Sequence, residues 1–179
     1  MKHRQTVVIF EGPDRCGKTN IARELSKRLK IPYFKNTVET DKFGILNDEY
    51  FTNASRYIDT YMSDFLLQTG MSVIFDRNYP SEYVYPRVFK RKYDLLMLKK
   101  IDEMHLRLGT KIVIPYRSSY KGIVDPIHPQ INEKRLSELD ELYEEFSLWS
   151  QCEILRLNVD DEDLTREVNE VLSFINDDF

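Results

Sequence analysis

Residues 7–19 read Val-Val-Ile-Phe-Glu-Gly-Pro-Asp-Arg-Cys-Gly-Lys-Thr. The stretch opens with four apolar residues and continues with two glycines separated by four residues, then a lysine and a threonine. Apolar residues recur with helical spacing after it, at Ile21, Leu25 and Leu29. A strand, a glycine-containing loop and a helix in this order are typical of the phosphate-binding P-loop. The stretch therefore predicts a P-loop fold that binds a nucleoside triphosphate.

The predicted loop has the chemistry that a phosphate chain requires. Its glycines allow the backbone to curl so that N–H groups face an anion, and the N-terminus of the following helix adds partial positive charge. Lys18 would reach the β- and γ-phosphates, and the hydroxyl of Thr19 would ligate Mg²⁺. We therefore expect ATP and Mg²⁺ as cofactors, with the phosphates held by Gly12, Pro13, Asp14, Arg15, Cys16, Gly17, Lys18 and Thr19.

The composition of the chain is ordinary for a globular protein. It has 179 residues, of which 41% are hydrophobic and 31% charged. The net charge of −4 argues against a dedicated nucleic-acid binder. The two cysteines show no metal-binding or disulfide spacing, which fits a reducing cytoplasmic setting. No apolar run approaches the ~20 residues of a membrane span, and no signal peptide opens the chain. We expect one cytoplasmic P-loop domain over residues 1–179.

Segments with strand and helix patterns alternate along the chain, which predicts an α/β protein. We expect a P-loop NTPase-type three-layer α/β/α fold, with a roughly five-stranded parallel sheet covered by helices on both faces. Ligands would bind at the carboxyl ends of the strands. The expected strands are Thr6–Glu11, Ile31–Lys35, Ser72–Asp76, Lys111–Pro115 and Glu153–Asn158. The expected helices are Lys18–Leu29, Asp48–Thr69, Asp94–Leu108, Asn132–Trp149 and Glu162–Ile175, with a short segment Pro80–Phe89.

The long helix over Asp48–Thr69 carries an apolar stripe with steps of three and four residues. Such a stripe is typical of the face that a helix buries against the core. Its members are Phe51, Ala54, Ile58, Tyr61 and Phe65.

A second candidate for the site follows the apolar run Val73-Ile74-Phe75. The run ends in Asp76, and a carboxylate at the end of such a strand in a P-loop fold commonly helps to hold Mg²⁺. Arg77 comes next, and a guanidinium suits phosphate because its planar fork donates two parallel hydrogen bonds and stays charged. We therefore predict Thr19 and Asp76 as metal ligands and Arg77 as a phosphate ligand.

Three motifs together resemble the thymidylate kinase family of P-loop monophosphate kinases. The first is Phe10-Glu11-Gly12-x-Asp14-x-x-Gly17-Lys18-Thr19, and the second is Asp76-Arg77-x-x-x-Ser81-x-x-x-Tyr85. Between them, Thr52-Asn53-Ala54-Ser55-Arg56-Tyr57 is similar to a helix segment of that family, with Ser55 in place of its asparagine. The matches cover residues 6–86, and the C-terminal half is similar only in its order of elements.

The resemblance implies roles for individual residues. Asp14 would contact the 3′-hydroxyl of the acceptor sugar, and Arg15 would act on the transferred phosphoryl group. The resemblance also implies a commonly dimeric protein. The catalytic residues would be Arg15, Lys18, Asp76 and Arg77, and the acceptor nucleotide would be bound by Asp14, Phe51, Thr52, Arg56, Arg77, Ser81 and Tyr85.

Several of these roles have plain alternatives. Asp14 also fits a turn after Pro13, and Arg56 also fits a solvated helix face. Residues 116–131 stand where the family has an arginine-rich lid, and Arg117 and Lys121 would close it over the phosphates, but a surface loop fits equally. Lys35 is a further candidate for the acceptor phosphate.

The leading hypothesis is an ATP-dependent deoxynucleoside monophosphate kinase that acts on dTMP or a related nucleotide. The first alternative is a deoxynucleoside kinase, which needs a general base near the end of the second strand. The segment Ile31–Lys35 is followed by no acid before Glu39, which counts against that alternative. The second alternative is a nucleotide-binding module without turnover, against which Lys18, Thr19 and Asp76 speak.

Overall fold

The computed structural model describes residues 5–35, 48–123 and 131–176, and the side chains of all of these except residues 48–57. The predictions for Phe51, Thr52 and Arg56 therefore lie outside the described side chains. Of the expected lid, residues 116–123 and 131 are described.

Five strands form one parallel sheet, as the alternation of elements predicts. The strands are β1 Val7–Phe10, β2 Tyr33–Lys35, β3 Val73–Asp76, β4 Lys111–Tyr116 and β5 Glu153–Asn158, and their order across the sheet is β2-β3-β1-β4-β5. Every pairing is parallel. Strands β1 and β3 are buried along their whole length, which explains why both read as continuous apolar runs rather than alternating patterns.

The described residues form six helices, of which the first five connect the strands and the sixth follows β5, and they pack in two groups. They are α1 Lys18–Leu29, α2 Asp48–Thr69, α3 Pro80–Val88, α4 Leu95–Arg107, α5 Glu133–Trp149 and α6 Leu164–Asn176. Helix α1 packs against α6, whereas α3 contacts α2, α4 and α5. The chain moves from β1 to β2 in one direction across the sheet and from β2 through β5 in the other. Right-handed crossovers then place α1 on one face and α2–α5 on the other, so the three-layer α/β/α prediction is confirmed.

The expected boundaries of the elements agree with the structure to within two residues. Two of the differences arise because a polar residue caps a helix instead of beginning it. The side chain of Asp94 accepts a hydrogen bond from the backbone N–H of Met97, and that of Asn132 accepts one from Arg135. The short segment after β3 is a helix in its own right, α3, with Pro80 in its first turn.

The prediction that the apolar stripe of α2 faces the core is wrong over the part whose side chains are described. Ile58 and Phe65 are exposed, and Tyr61 is 79% exposed. The buried positions are instead Asp59, Ser63 and Leu66. This inversion has a physical cause, because the hydroxyl of Ser63 lies 3.1 Å from Nε2 of the buried His105 on α4 and so satisfies a polar contact between the two helices.

Candidate active site

The carboxyl ends of β1 and β3 lie side by side at the point where the direction of the chain across the sheet reverses. Phe10 pairs with Asp76 in the register of these two strands. The P-loop leaves the end of β1, and Arg77 follows the end of β3. In open parallel sheets ligands bind in the crevice at such a reversal. The fold therefore brings the two predicted groups of site residues together.

The P-loop is held close to the end of β4. A Cβ atom built on Gly12 would lie 2.7 Å from the carbonyl oxygen of Pro115, and Gly12 has φ +130°. Glycine is required at this position because any side chain would collide with the backbone of β4. The side chain of Lys18 folds back over the loop and donates a hydrogen bond to the carbonyl of Pro13. Lys18 is 7% exposed, so its charge is concentrated inside the loop.

Oxygen atoms suited to Mg²⁺ meet beside the loop. The hydroxyl of Thr19 donates to Oδ2 of Asp76 at 2.6 Å, and the hydroxyl of Tyr33 donates to the same oxygen at 2.7 Å. The described residues contain no group of three His, Cys, Asp or Glu side chains that would hold a metal without help. Mg²⁺ is usually bound by one or two carboxylates, waters and substrate phosphates, and the Thr19–Asp76 pair fits that pattern.

Arg77 and Asp14 form an ion pair at the mouth of the crevice. Nη2 of Arg77 donates to Oδ1 of Asp14, and the hydroxyl of Tyr85 donates to Oδ2 at 2.9 Å. The guanidinium of Arg77 lies 4.9 Å from the centre of the Tyr85 ring, within the range of a cation–π contact. Asp14 is thus part of a side-chain cluster, beyond its place in the turn after Pro13.

The buried carboxylate of Glu11 lies next to the guanidinium of Arg77. Glu11 is fully buried, and its Oε2 lies 3.7 Å from Nη1 of Arg77. The same oxygen accepts hydrogen bonds from the hydroxyls of Ser81 and Tyr143, both at 2.8 Å, while Oε1 accepts one from the backbone N–H of Asn78 at 2.6 Å. These bonds tie α3 and α5 to the start of the P-loop, so they fix where Arg77 points.

The charges of the site perturb one another. Burial raises the pKa of Glu11, and the nearby charge of Arg77 offsets part of that effect. Burial also acts to raise the pKa of Asp14, but the charges of Arg77 and Lys18 together with two hydrogen bonds leave it below its ordinary value. Burial and the charge of Arg77 lower the pKa of Lys18. Two cations and two carboxyls are therefore held close together and partly out of water, where each charge acts strongly on its neighbours.

A cavity of about 710 Å³ lies on the other side of the P-loop. Arg15 and Arg117 both line it, and Nε of Arg117 donates to the backbone carbonyl of Arg15 at 3.2 Å. Nη2 of Arg117 donates to Glu162 at 2.7 Å. Arg117 thus joins the P-loop to the loop after β5. The other residues that line the cavity are Cys16, Gly17, Asn20, Gly122, Ile123, Val159, Glu162, Leu164 and Glu167.

Three charged residues at this site have left-handed backbone conformations. The φ angles are +67° at Arg15, +73° at Arg77 and +53° at Glu162. Residues other than glycine adopt this region at a cost in free energy, and it is commonest at functional sites.

The structure brings most of the predicted site residues together and separates others. Lys18 and Thr19 lie at the crevice with Asp76, and Asp14 lies there with Arg77, Ser81 and Tyr85, whereas Arg15, Cys16 and Gly17 line the cavity on the other side of the P-loop. Lys35 ends β2 with an exposed side chain, in register with Asp76. Lys121 is exposed and lies beyond Arg117 in the described part of the lid segment.

The sequence alone predicts no role for four residues of the site, which are Glu11, Tyr33, Tyr143 and Glu167. Tyr143 carried a signal, because it continues the buried stripe of α5 formed by Leu136, Leu139 and Phe146. A tyrosine within an apolar stripe needs a hydrogen-bond partner for its hydroxyl. The partner, Glu11, is 132 residues away in sequence, so the contact is visible only in the folded chain.

Comparisons with known proteins agree with this architecture. No protein-family model matches the chain. The SPbeta prophage-derived uncharacterized protein YorR of Bacillus subtilis is 29% identical over 120 residues, which are 66% of this chain and 65% of YorR, so the match spans slightly less than two thirds of that relative. The crystal structure of YorR in complex with phosphorylated GDP has a TM-score of 0.68 and 23% identity, and covers 96% of both chains.

Two solved kinases show the same fold. Thymidylate kinase from Ehrlichia chaffeensis has a TM-score of 0.66 at 14% identity, covering 96% of this chain and 98% of its own. Deoxyadenosine kinase from M. mycoides with bound dATP has a TM-score of 0.60 at 18% identity, covering 96% of this chain and all of its own. The protein therefore has the P-loop kinase fold that a thymidylate kinase and a deoxyadenosine kinase share, as the resemblance in its motifs predicts.

Proposed function

We propose that the protein is a deoxynucleoside monophosphate kinase that transfers the γ-phosphoryl group of ATP·Mg²⁺ to dTMP or a related nucleotide, giving a diphosphate and ADP. The observation that carries the proposal is the convergence of Lys18 and Arg77 with the Thr19–Asp76 pair where β1 and β3 end. The cations would bind the phosphates of both nucleotides, and the Thr19–Asp76 pair would hold Mg²⁺ between them.

The acceptor side of the site favours a phosphate over a neutral hydroxyl. A phosphate oxygen is already anionic, so the transfer needs positioning and charge neutralisation more than a general base. Asp14 accepts hydrogen bonds from Arg77 and Tyr85, and Asp76 accepts them from Thr19 and Tyr33, so both carboxylates have partners that fit positioning and Mg²⁺ binding. In our proposal Arg77 exchanges part of its contact with Asp14 for the phosphate of the acceptor. Asp14 and Tyr85 then bind the sugar of the acceptor.

The remaining proposed roles follow the motifs. Arg15 would stabilise the transferred phosphoryl group, and Ser81 would line the acceptor pocket. Phe51 or Thr52 would contact the base of the acceptor, and Arg56 would bind either its phosphate or its base. Arg117 would close over the donor as the described part of a lid over residues 116–131. The cavity beside the P-loop would receive the sugar and base of the donor.

We also propose a homodimer, in a reducing cytoplasmic compartment, with no nucleic-acid partner. The exposed apolar residues Ile58, Tyr61 and Phe65 of α2 offer a surface for a second copy. Both cysteines are free and buried. Among the described residues no helix is long and apolar enough to cross a membrane. Light scattering should give twice the chain mass of 21.4 kDa, and the chain mass alone would contradict the dimer.

An acceptor panel tests the proposed function. The protein is incubated with ATP·Mg²⁺ and with deoxynucleosides or their monophosphates, including guanine acceptors because YorR was crystallised with phosphorylated GDP. We expect ADP to form only with monophosphates. Consumption of nucleosides alone would favour a deoxynucleoside kinase, as in the deoxyadenosine kinase with the same fold. Binding of ATP without turnover of any acceptor would favour a nucleotide-binding module.

Replacing Arg15 with glycine separates catalysis from binding. Glycine tolerates the φ of +67° found at Arg15, so the loop should keep its shape. We expect kcat to fall roughly 10³-fold, as on loss of an arginine that stabilises the transferred phosphoryl group, while the Kd of ATP changes much less. Calorimetric ATP titrations beside steady-state rates provide the measurement. A loss explained entirely by weaker ATP binding would make Arg15 a binding residue only.

A further inference from the structure

A buried carboxylate lines the cavity beside the P-loop. Glu167, in the first turn of α6, is 4% exposed and borders the same cavity as Arg15, Cys16 and Gly17. If the P-loop binds the phosphates of the donor nucleotide, as proposed above, the sugar and base of the donor would extend into this cavity. Glu167 is therefore placed to meet the nucleoside part of the donor.

The carboxylate of Glu167 has no hydrogen bond or ion pair with any residue that the structure describes. Its two neighbouring arginines are engaged elsewhere. Arg166 donates to Asp161, to Glu170 and to the carbonyl of Asn158, at distances of 2.7 to 2.9 Å. Arg117 donates to Glu162 and to the backbone of Arg15. Glu167 thus keeps both oxygens for a ligand.

The carboxylate of Glu167 opens onto the cavity, where hydrogen-bond donors of a ligand would replace the water that reaches it. Burial raises the pKa of Glu167, and the charge of Arg166 offsets part of that effect. The other walls near it include the apolar side chains of Ile123, Val159 and Leu164, which suit the faces of a planar ring. A flat ligand with two adjacent N–H donors on one edge would match both features.

We propose that Glu167 recognises the Watson–Crick edge of guanine in the phosphoryl donor, so that the protein uses GTP in preference to ATP. Guanine presents N1–H and the 2-amino group side by side, and the two oxygens of a carboxylate accept from both. Adenine presents its amino group beside the unprotonated N1, whose lone pair faces the second oxygen. The inference rests on the proposed kinase function and refines its donor, because ATP and GTP offer the P-loop the same phosphates.

Donor analogues test separately the two proposed hydrogen bonds, from N1–H and from the 2-amino group of guanine. Initial rates are measured with ATP, GTP, ITP and XTP for the wild type, for Glu167→Gln and for the control Glu103→Gln, which removes an exposed acid from α4. We expect kcat/KM for GTP to exceed that for ATP by roughly 10- to 100-fold in the wild type, as for loss of a charge-assisted hydrogen bond. ITP, which lacks the 2-amino group, should fall between them. The control should keep the wild-type order of donors.

The glutamine variant should change the order of donors rather than lower all rates. An amide accepts from N1–H and donates to a carbonyl, which matches xanthine, so we expect Glu167→Gln to prefer XTP over GTP. A wild type that prefers ATP, or a glutamine variant that keeps the order of donors, would overturn the proposal. A change confined to discrimination between GTP and dGTP would also overturn it, because Glu167 would then bind the sugar.

Binding measurements separate this proposal from the kinase function. The Kd values of GDP, ADP and XDP are determined by calorimetry without an acceptor. If no acceptor turns over but GDP binds more tightly than ADP and Glu167→Gln shifts the preference to XDP, the kinase function fails and the guanine contact stands. Equal binding of GDP and ADP by the wild type would contradict the guanine contact whatever the activity.

Discussion

Replacing Lys18 with alanine is expected to lower kcat by on the order of 10³-fold while the protein stays folded. In the proposed reaction the ammonium group neutralises charge on the transferred phosphoryl group, and no water can take its place because Lys18 is almost completely buried. Its removal should not harm the fold, because burial and the nearby charge of Arg77 both lower the pKa of Lys18, so its ammonium group is unfavourable in the folded protein. Phosphoryl-transfer rates and a thermal unfolding curve provide the two measurements.

The matched control for this variant is Lys27→Ala in the same helix. The side chain of Lys27 is 78% exposed and lies 3.9 Å from Glu24, so its removal should change neither rate nor stability noticeably. Turnover of the Lys18 variant within about tenfold of the wild type would contradict the assignment of the P-loop lysine. Loss of the cooperative unfolding transition would show that Lys18 supports the fold instead.

Replacing Arg77 with alanine is expected to lower the free energy of unfolding by about 3–5 kcal/mol at neutral pH. The reason is Glu11, which is fully buried and would lose its nearby cation. The matched control is Arg87→Ala. Arg87 also lies 4.9 Å from the centre of a tyrosine ring, that of Tyr83, but its partner Glu145 is half exposed, so we expect a loss of about 1 kcal/mol or less. Urea unfolding measures both.

The pH dependence of the stability of Arg77→Ala tests whether Glu11 causes the loss of stability. Without the guanidinium, the pKa of Glu11 in the folded protein should rise further above its unfolded value. The native state then binds more protons than the unfolded state between the two pKa values, so stability decreases as the pH rises through that window. The free energy of unfolding that the variant loses relative to the wild type should therefore be smaller at pH 5 than at pH 8. A loss independent of pH would exclude Glu11 as its source.

A double-mutant cycle gives an independent check. With Glu11 already replaced by glutamine, removal of Arg77 no longer strands a charge. We expect the two changes to couple by about 1–3 kcal/mol. Strict additivity would mean that Arg77 stabilises the protein through its other contacts.

Local sequence was enough to predict the elements that carry the phosphate site. The P-loop is a continuous segment whose glycines, lysine and threonine have fixed local roles, and Asp76 ends a strand that burial on both faces makes continuously apolar. The prediction that the apolar stripe of α2 faces the core is wrong for a different reason. Amphipathicity identifies an apolar face but not its partner, and here Ser63 and His105 direct a polar face inward.

The supporting contacts of the site could not be predicted because they join distant parts of the chain. Glu11 meets Ser81 and Tyr143 only after β1, α3 and α5 have packed together. Leu164 and Val171, three residues before and four residues after Glu167, place it beside the apolar face of α6, but the sequence does not show what that part of the face contacts. The position of Glu167 becomes apparent only from the cavity that it lines.

The left-handed backbone at Arg15, Arg77 and Glu162 bears on attempts to make this protein more heat-resistant. Glycine at each of these positions would relieve about 1 kcal/mol of local strain and would rank well in any search for stabilising changes. Two of the three replacements would also delete the arginines proposed to act on phosphate. Engineers should therefore leave Arg15 and Arg77 unchanged, because each glycine would remove a cation that the proposed reaction needs.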